Sequence, residues 1–203
     1  MNVKELYGKE YGEVQVREIP EDYKVKITEW LDLKPQDKVL EIGCAGGSLL
    51  PFLRKYSPKT VGMDINQSII EKAKVSRTVV GDLIDPPFKA NSFDKSLSLH
   101  VLEHIKDLKS AFKQLDRISK KGALSLHAFP AEVLRGAGAY NEALILTGNP
   151  IKAFLLARKL HVHRLNPKKV QRLIEGTNWR LIKSEKKYVS VEKGPAWIVL
   201  LQK

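Results

Sequence analysis

A chain of 203 residues, 43% hydrophobic and 29% charged, has enough apolar side chains for one full core and too many for a disordered segment. Its net charge of +12 is uneven: residues 130–203 hold 14 Lys and Arg against 5 Asp and Glu, a net +9, and residues 1–129 carry a net +3. No apolar run approaches the roughly 20 residues that span a bilayer, the first residues lack an apolar signal core, and one cysteine, Cys44, excludes an internal disulfide framework or a cysteine-rich zinc module.

In chain order, Tyr23, Ile27, Trp30 and Leu31 recur at helical spacing, in a cover and first helix over residues 1–36. Lys38–Gly43 reads as a buried strand, followed by a helix over Leu49–Tyr56 with Pro51 in its first turn. Thr60–Ile65 is a second strand. The helix after it runs over Asn66–Lys74, and either Asn66 or the Ser68–Glu71 pair caps its start. Arg77–Leu83, Asp94–Val101 and Gly122–Phe129 are three more strands. A helix stripe of Ile105, Leu108, Phe112, Leu115 and Ile118 separates the last two. Residues 130–165 fit neither pattern and are expected to form a lid inserted after the fifth strand, with an apolar run at Ala143–Leu146 and a basic amphipathic segment at Ile151–Leu160. The alternative is a packed helix pair. Asn166 and Pro167 then open a helix, and Arg180–Val189 with Ala196–Gln202 forms a hairpin. Strand–helix alternation of this kind predicts one α/β domain, 1–203, in three layers. Its sheet is seven-stranded and mostly parallel, with an antiparallel C-terminal hairpin strand at its edge.

The most informative stretch is Val39-Leu40-Glu41-Ile42-Gly43-Cys44-Ala45-Gly46-Gly47-Ser48. A strand runs into a small-residue turn and then a helix, a geometry that lets backbone approach a ligand. Asp64, 21 residues after Gly43 at the end of the second strand, is placed to accept both hydroxyl protons of a ribose. The glycine spacing misses the dinucleotide fingerprint at Ala45 and Ser48, and no P-loop lysine follows. The ordered set resembles the class I S-adenosylmethionine-dependent methyltransferases, in detail over residues 36–129. The resemblance implies their Rossmann-like fold and S-adenosylmethionine as cofactor. It implies that Glu41, Gly43, Cys44 and Gly47 frame the methionine end, that Asp64 holds the ribose, and that Met63 and Ile65 lie near the adenine. It further implies that Asp82 and Leu83 meet the adenine edge and that Ser98 and Leu99 lie beside the methionine moiety. Asp82 has a second reading as a turn cap. Ala45 departs from the family pattern, which has glycine there, as does Lys120-Lys121-Gly122, where Pro-Gly-Gly is common. Asp85-Pro86-Pro87-Phe88 matches the motif of amino-group nucleic-acid methyltransferases, but it precedes the fourth strand instead of following it.

His100-Val101-Leu102-Glu103-His104 ends the fourth strand, on the side where open parallel sheets bind ligands. It resembles the Glu-Val-Leu-Glu-His stretch of ubiquinone-pathway O-methyltransferases and the Glu-x-x-Glu-His stretch of small-RNA terminal ribose methyltransferases. Some members of both groups bind a divalent metal there. His100 replaces the first acid, so the favoured reading is a general base at His100, with His127 or His161 second. A metal on His100, Glu103 and His104 is the less favoured reading. The expected activity is methyl transfer, at oxygen, to a small hydrophobic acceptor, by a cytoplasmic enzyme whose cover contacts a membrane surface. RNA or protein methylation through the basic last third is an alternative, and a non-catalytic cofactor-binding subunit is another. Oligomeric state is left open.

Overall fold

β1 (Val39–Ile42) is buried at all four positions. A strand covered on both faces requires apolar side chains, and Val39, Leu40 and Ile42 supply them; Glu41 is the exception. The computed structural model describes residues 19–73, 75–131, 148–151, 162–189 and 194–203. Around β1 they form α1 (Glu21–Leu31), α2 (Leu50–Tyr56), β2 (Val61–Asp64), α3 (Gln67–Ala73), β3 (Thr78–Val80) and β4 (Phe93–Leu99). A 3-10 turn, Leu102–His104, leads to α4 (Leu108–Ile118), β5 (Ser119–Pro130), α5 (Pro167–Leu173), β6 (Arg180–Val189) and β7 (Gly194–Gln202).

The seven strands lie in the order β3-β2-β1-β4-β5-β7-β6. β1 runs parallel to both β2 and β4, and β5 continues the parallel set. The chain steps outward from β1 to β3, then crosses to the other side of β1 to lay down β4. Strand order therefore reverses between β1 and β4, and their carboxyl ends frame a crevice. Helices cover both faces. Tyr23, Ile27, Trp30, Leu49 and Leu53 pack on Val39, Leu97, Leu126 and Ile198, while Phe112, Leu115, Val170 and Ile174 pack on Leu40, Phe93, Phe129 and Val199 on the other face.

The antiparallel hairpin strand is not at the edge. β7 sits between β5 and β6, antiparallel to both. Composition explains the arrangement: Ala196, Ile198, Val199, Leu200 and Leu201 are buried, whereas β6 reads RLIKSEKKYV and exposes Lys183 and Lys186. The lysine-bearing strand takes the open edge, where charge discourages pairing with other chains.

Element starts follow their caps. Asn66 Oδ1 accepts the Ile69 N–H at 3.2 Å, which settles the start of α3 in favour of Asn66. Asn166 Oδ1 accepts the Lys169 N–H at 2.9 Å and begins α5. α4 starts three residues later than the apolar stripe suggests, because Asp107 accepts the Ser110 N–H at 3.0 Å. β3 stops at Val80, short of the expected Leu83: after a last bond from Gly81 N–H to Asp64 O at 2.8 Å the chain turns, and Asp82 bridges Asp85. The expected lid lies mostly outside the described residues, as do residues 1–18 and His161. Among the described residues no helix is long and apolar enough to cross a membrane.

Phe112 is 1% exposed at the centre of the α4 face. Phe112→Ala is expected to cost about 3–5 kcal/mol of stability in urea unfolding, whereas Tyr188→Ala, at an exposed site on β6, changes it by no more than about 0.5 kcal/mol.

Candidate functional site

The turn after β1 is bound to β2 by main-chain contacts. Gly43 and Cys44 both donate to Met63 O, at 2.7 and 3.0 Å. Gly43 and Gly47 have φ of +71° and +75°, in the left-handed region. At Gly43 a methyl group would also strike the Val101 side chain, which packs directly over the turn. Ala45 has φ +45°, a conformation that costs an alanine about 1–2 kcal/mol.

Asp64 keeps Ala45 in that conformation. Its Oδ2 accepts the Ala45 N–H at 2.8 Å and its Oδ1 the Asn66 N–H at 2.9 Å. Burial raises the Asp64 carboxyl above its ordinary range, and the amides of Asn66, Ala45 and Ile65 oppose that shift. A carboxylate has about four lone-pair positions. The Ala45 and Asn66 amides each take one, on different oxygens, and the Ile65 amide acts on the same carboxyl. Beyond Asp64 lies a cavity of about 420 Å³, lined by Ile65, Val80, Gly81, Asp82 and Pro87 among others. Its floor requires glycine at 81, where a Cβ would press on Met63 Sδ and Pro87 Cδ at 2.8 and 2.7 Å. The Asp82 carboxyl accepts the Ile84 N–H at 3.2 Å, so it does cap a turn while facing the cavity.

Glu41 stands behind this turn, in the middle of the sheet. It is 6% exposed, and its Oε2 has no hydrogen-bond partner. Burial and, next, the Asp64 charge push its carboxyl up to about 8, with Arg54 opposing. Cys44 is buried as well. Burial first, then the Glu41 and Asp64 charges, raise its thiol, leaving it a packed, protonated side chain. Met63 and Leu83 are buried in the core beneath the cavity, while Leu99 packs on the α1 face.

The second cluster caps β4. His100 has φ +57°, a strained conformation at the rim of the crevice. Tyr23 Oη, on α1, lies 2.6 Å from His100 Nε2. Glu103 Oε1 lies 3.4 Å from His100 Nδ1 and 4.0 Å from His104 Nε2. Glu103 is 2% exposed, and its main-chain oxygen accepts the amides of Val162 and His163 at 2.9 and 3.2 Å. His163 Nε2 is engaged with Lys106 O at 3.0 Å. Among the described residues no group of three His, Cys, Asp or Glu is arranged to hold a metal ion. The His100, Glu103 and His104 side chains instead pair with one another and with Tyr23.

His127 is not a base for a bound acceptor. It is fully buried, with Nδ1 2.8 Å from Ser98 Oγ, Nε2 2.9 Å from Ser125 Oγ, and the Phe112 ring edge-on against it. Burial lowers its imidazole to about 3, so it stays neutral. It lies within β5, before the strand ends at Pro130, and its side chain points into the α4 face instead of the crevice. The Ser98 hydroxyl is committed to His127, so Ser98 offers the crevice only its main chain. Tyr23 was legible only as part of an apolar stripe. The one hint of a further role was that a buried phenol needs a partner.

Residues 40–126 match the family described as "Methyltransferase domain". The match covers less than half of the chain. The chain is 33% identical over 120 residues to a demethylmenaquinone methyltransferase of Corynebacterium glutamicum, covering 57% of this chain and 52% of that protein. It is 30% identical over 102 residues to an ajmaline N-methyltransferase of Rauvolfia serpentina, covering 44% and 34%. The matches thus span between about a third and a half of these curated relatives. A SAM-dependent methyltransferase structure from Methanosarcina mazei superposes with a TM-score of 0.69 at 19% identity, over 92% of this chain and 99% of that one. That likeness shows the shared fold.

The buried Glu41 gives a test. The unfolded chain ionises this carboxyl near 4.5 and the folded chain near 8. Folded protein therefore holds an extra proton between those values, and stability falls as pH rises through that window, levelling above it. Glu41→Gln cannot ionise. Its advantage over wild type in urea unfolding is expected to grow from about pH 5 to about pH 8, reaching about 2 kcal/mol or more. A constant difference across pH contradicts this.

Proposed function

We propose that this chain is an S-adenosylmethionine-dependent methyltransferase that acts at an oxygen of a small, apolar, quinol-like acceptor in the cytoplasm. The observation that carries the reading is the pair of buried carboxyls at the strand-order reversal, Asp64 held by main-chain amides at the end of β2 and Glu41 with an oxygen lacking a partner. An adenosine-bearing cation fits both. The ribose diol meets Asp64, the base enters the cavity bounded by Ile65, Val80, Gly81 and Asp82, and the cationic methionine end supplies the counter-charge Glu41 lacks. Gly43, Cys44, Gly47 and the main chain of Ser98 and Leu99 line the path between them. When bound, this cofactor supplies a methyl group already activated on a sulfonium, so the protein has only to align the acceptor, keep out water and manage a proton.

His100 is the proton acceptor in this reading. It is 22% exposed at the rim and is held between Tyr23 and Glu103. A base of this kind contributes roughly a hundredfold to ten-thousandfold. The acceptor class is supported by the Corynebacterium relative, which is named for demethylmenaquinone. The basic last third suits contact with an anionic membrane surface from which such an acceptor is drawn.

With S-adenosylmethionine and a reduced, demethylated naphthoquinone, a methylated product is expected by mass spectrometry. His100→Gln is expected to lower turnover at least about tenfold. Unmethylated quinol with wild-type protein contradicts the acceptor class, and turnover within about threefold in the variant contradicts the base.

A further inference from the structure

The two faces of the sheet treat their cations differently. On the α1 face they are neutralised: Lys24 pairs with Glu21 at 3.2 Å, Lys26 with Glu185 at 2.8 Å and Lys187 with Asp22 at 3.1 Å. On the α4 face they are not. Lys109 and Lys113 stand one turn apart on α4, and Lys168 and Arg172 one turn apart on α5, all four exposed. Lys106 and Lys186 beside them are exposed as well. Among the described ion pairs, none includes any of these six. Three carboxyls lie among them, and two are taken. Asp107 accepts the Ser110 amide and hydroxyl at 3.0 and 2.7 Å, and Asp116 pairs with Lys203 at 3.1 Å. Glu175, just past α5, is exposed.

This face reaches the crevice. α4 and α5 pack side by side. Val162 and His163, ahead of α5, donate to Glu103 O, ahead of α4, so both helices begin at the carboxyl side of the sheet. Lys106 and Lys168 therefore stand at that side, with Lys113 and Arg172 farther along. Tyr188 joins them. It pairs with Pro195 on β7, two residues before Trp197, whose side chain packs in the α4-face core, and it is 63% exposed at the same end of the sheet.

We propose, resting on the membrane contact read above, that the outer face of α4, α5 and β6 is a docking surface for an anionic lipid bilayer. Clusters of four to eight Lys and Arg on one face attract anionic headgroups, and a tyrosine at the edge of such a face suits headgroup depth. Single-stranded nucleic acid calls for stacking platforms as well as charge. The outer faces of α4 and α5 carry no aromatic side chain, Phe112 being buried. Lys106, Lys109 and Lys113 come from residues 1–129, so the surface is not that of the basic last third alone.

The test is flotation of the whole chain with vesicles of phosphatidylcholine alone or with one-third phosphatidylglycerol. At about 0.1 M salt the wild type is expected to float with the anionic vesicles and not with the neutral ones, and to be released at about 1 M. Lys113→Gln with Lys168→Gln removes one charge from each helix and is expected to weaken binding about thirtyfold. Lys55→Gln with Lys59→Gln, at exposed positions on the α2 side of the sheet, is expected to weaken it no more than about threefold. Both variants are expected to melt with the wild type. No flotation with anionic vesicles overturns the proposal. Equal losses in the two variants, or none in either, overturn the placement of the surface. Tighter binding to a single-stranded RNA oligonucleotide than to anionic vesicles, lost in Lys113→Gln with Lys168→Gln, overturns lipid as the occupant in favour of nucleic acid. The assay contains neither cofactor nor acceptor, so each of these failures leaves the methyl-transfer reading standing. That reading fails separately, if a detergent-solubilised quinol is not methylated.

Discussion

Asp64 ties three elements to one another through a single carboxyl. One oxygen holds the Ala45 amide in the turn after β1, and the other holds the Asn66 amide at the start of α3. The turn would otherwise have to keep an alanine in the left-handed region unaided. Met63 O adds the amides of Gly43 and Cys44, so the glycine turn is fastened to β2 at both the main chain and the side chain. The shape of the crevice, and the access of a ligand to its floor, depends on that fastening.

Two acids in one low-dielectric place repel each other. The protein resolves the conflict by keeping Asp64 supplied with amides and leaving Glu41 protonated. Such an arrangement is unfavourable for folding above neutral pH and favourable for receiving a cation, a trade common at binding sites. On the opposite face of the sheet, Ser96, Ser125, His127 and Ser98 form a buried chain of hydrogen bonds across β4 and β5. Every ring nitrogen in it is satisfied, so its polarity fixes the pairing of two central strands and leaves no group over for chemistry.

The order of strands and helices was legible because each element carries its own local signal. Val39, Leu40 and Ile42 form an apolar run, Asn66 and Asn166 are side-chain caps, and the stripe through Phe112 has helical period. The place of Asp64 at the end of β2 was legible from its spacing after Gly43. Three features were not. The place of β7 is set by competition between an apolar and a lysine-rich strand for the interior. The direction of the His127 side chain is set by which face of β5 it falls on, one residue away from the opposite outcome. The contact of Tyr23 with His100 joins residues 77 positions apart, and no local pattern on α1 distinguishes a phenol that packs from one that also donates.

The most direct test of the central claim is a crystal structure of the protein grown with S-adenosylhomocysteine. The account predicts density across the carboxyl ends of β1 and β2, with both ribose hydroxyls within hydrogen-bond distance of Asp64 and the amino end beside Glu41. Nucleoside density elsewhere on the protein, or a crevice closed by its own side chains in crystals grown at saturating ligand, would contradict it.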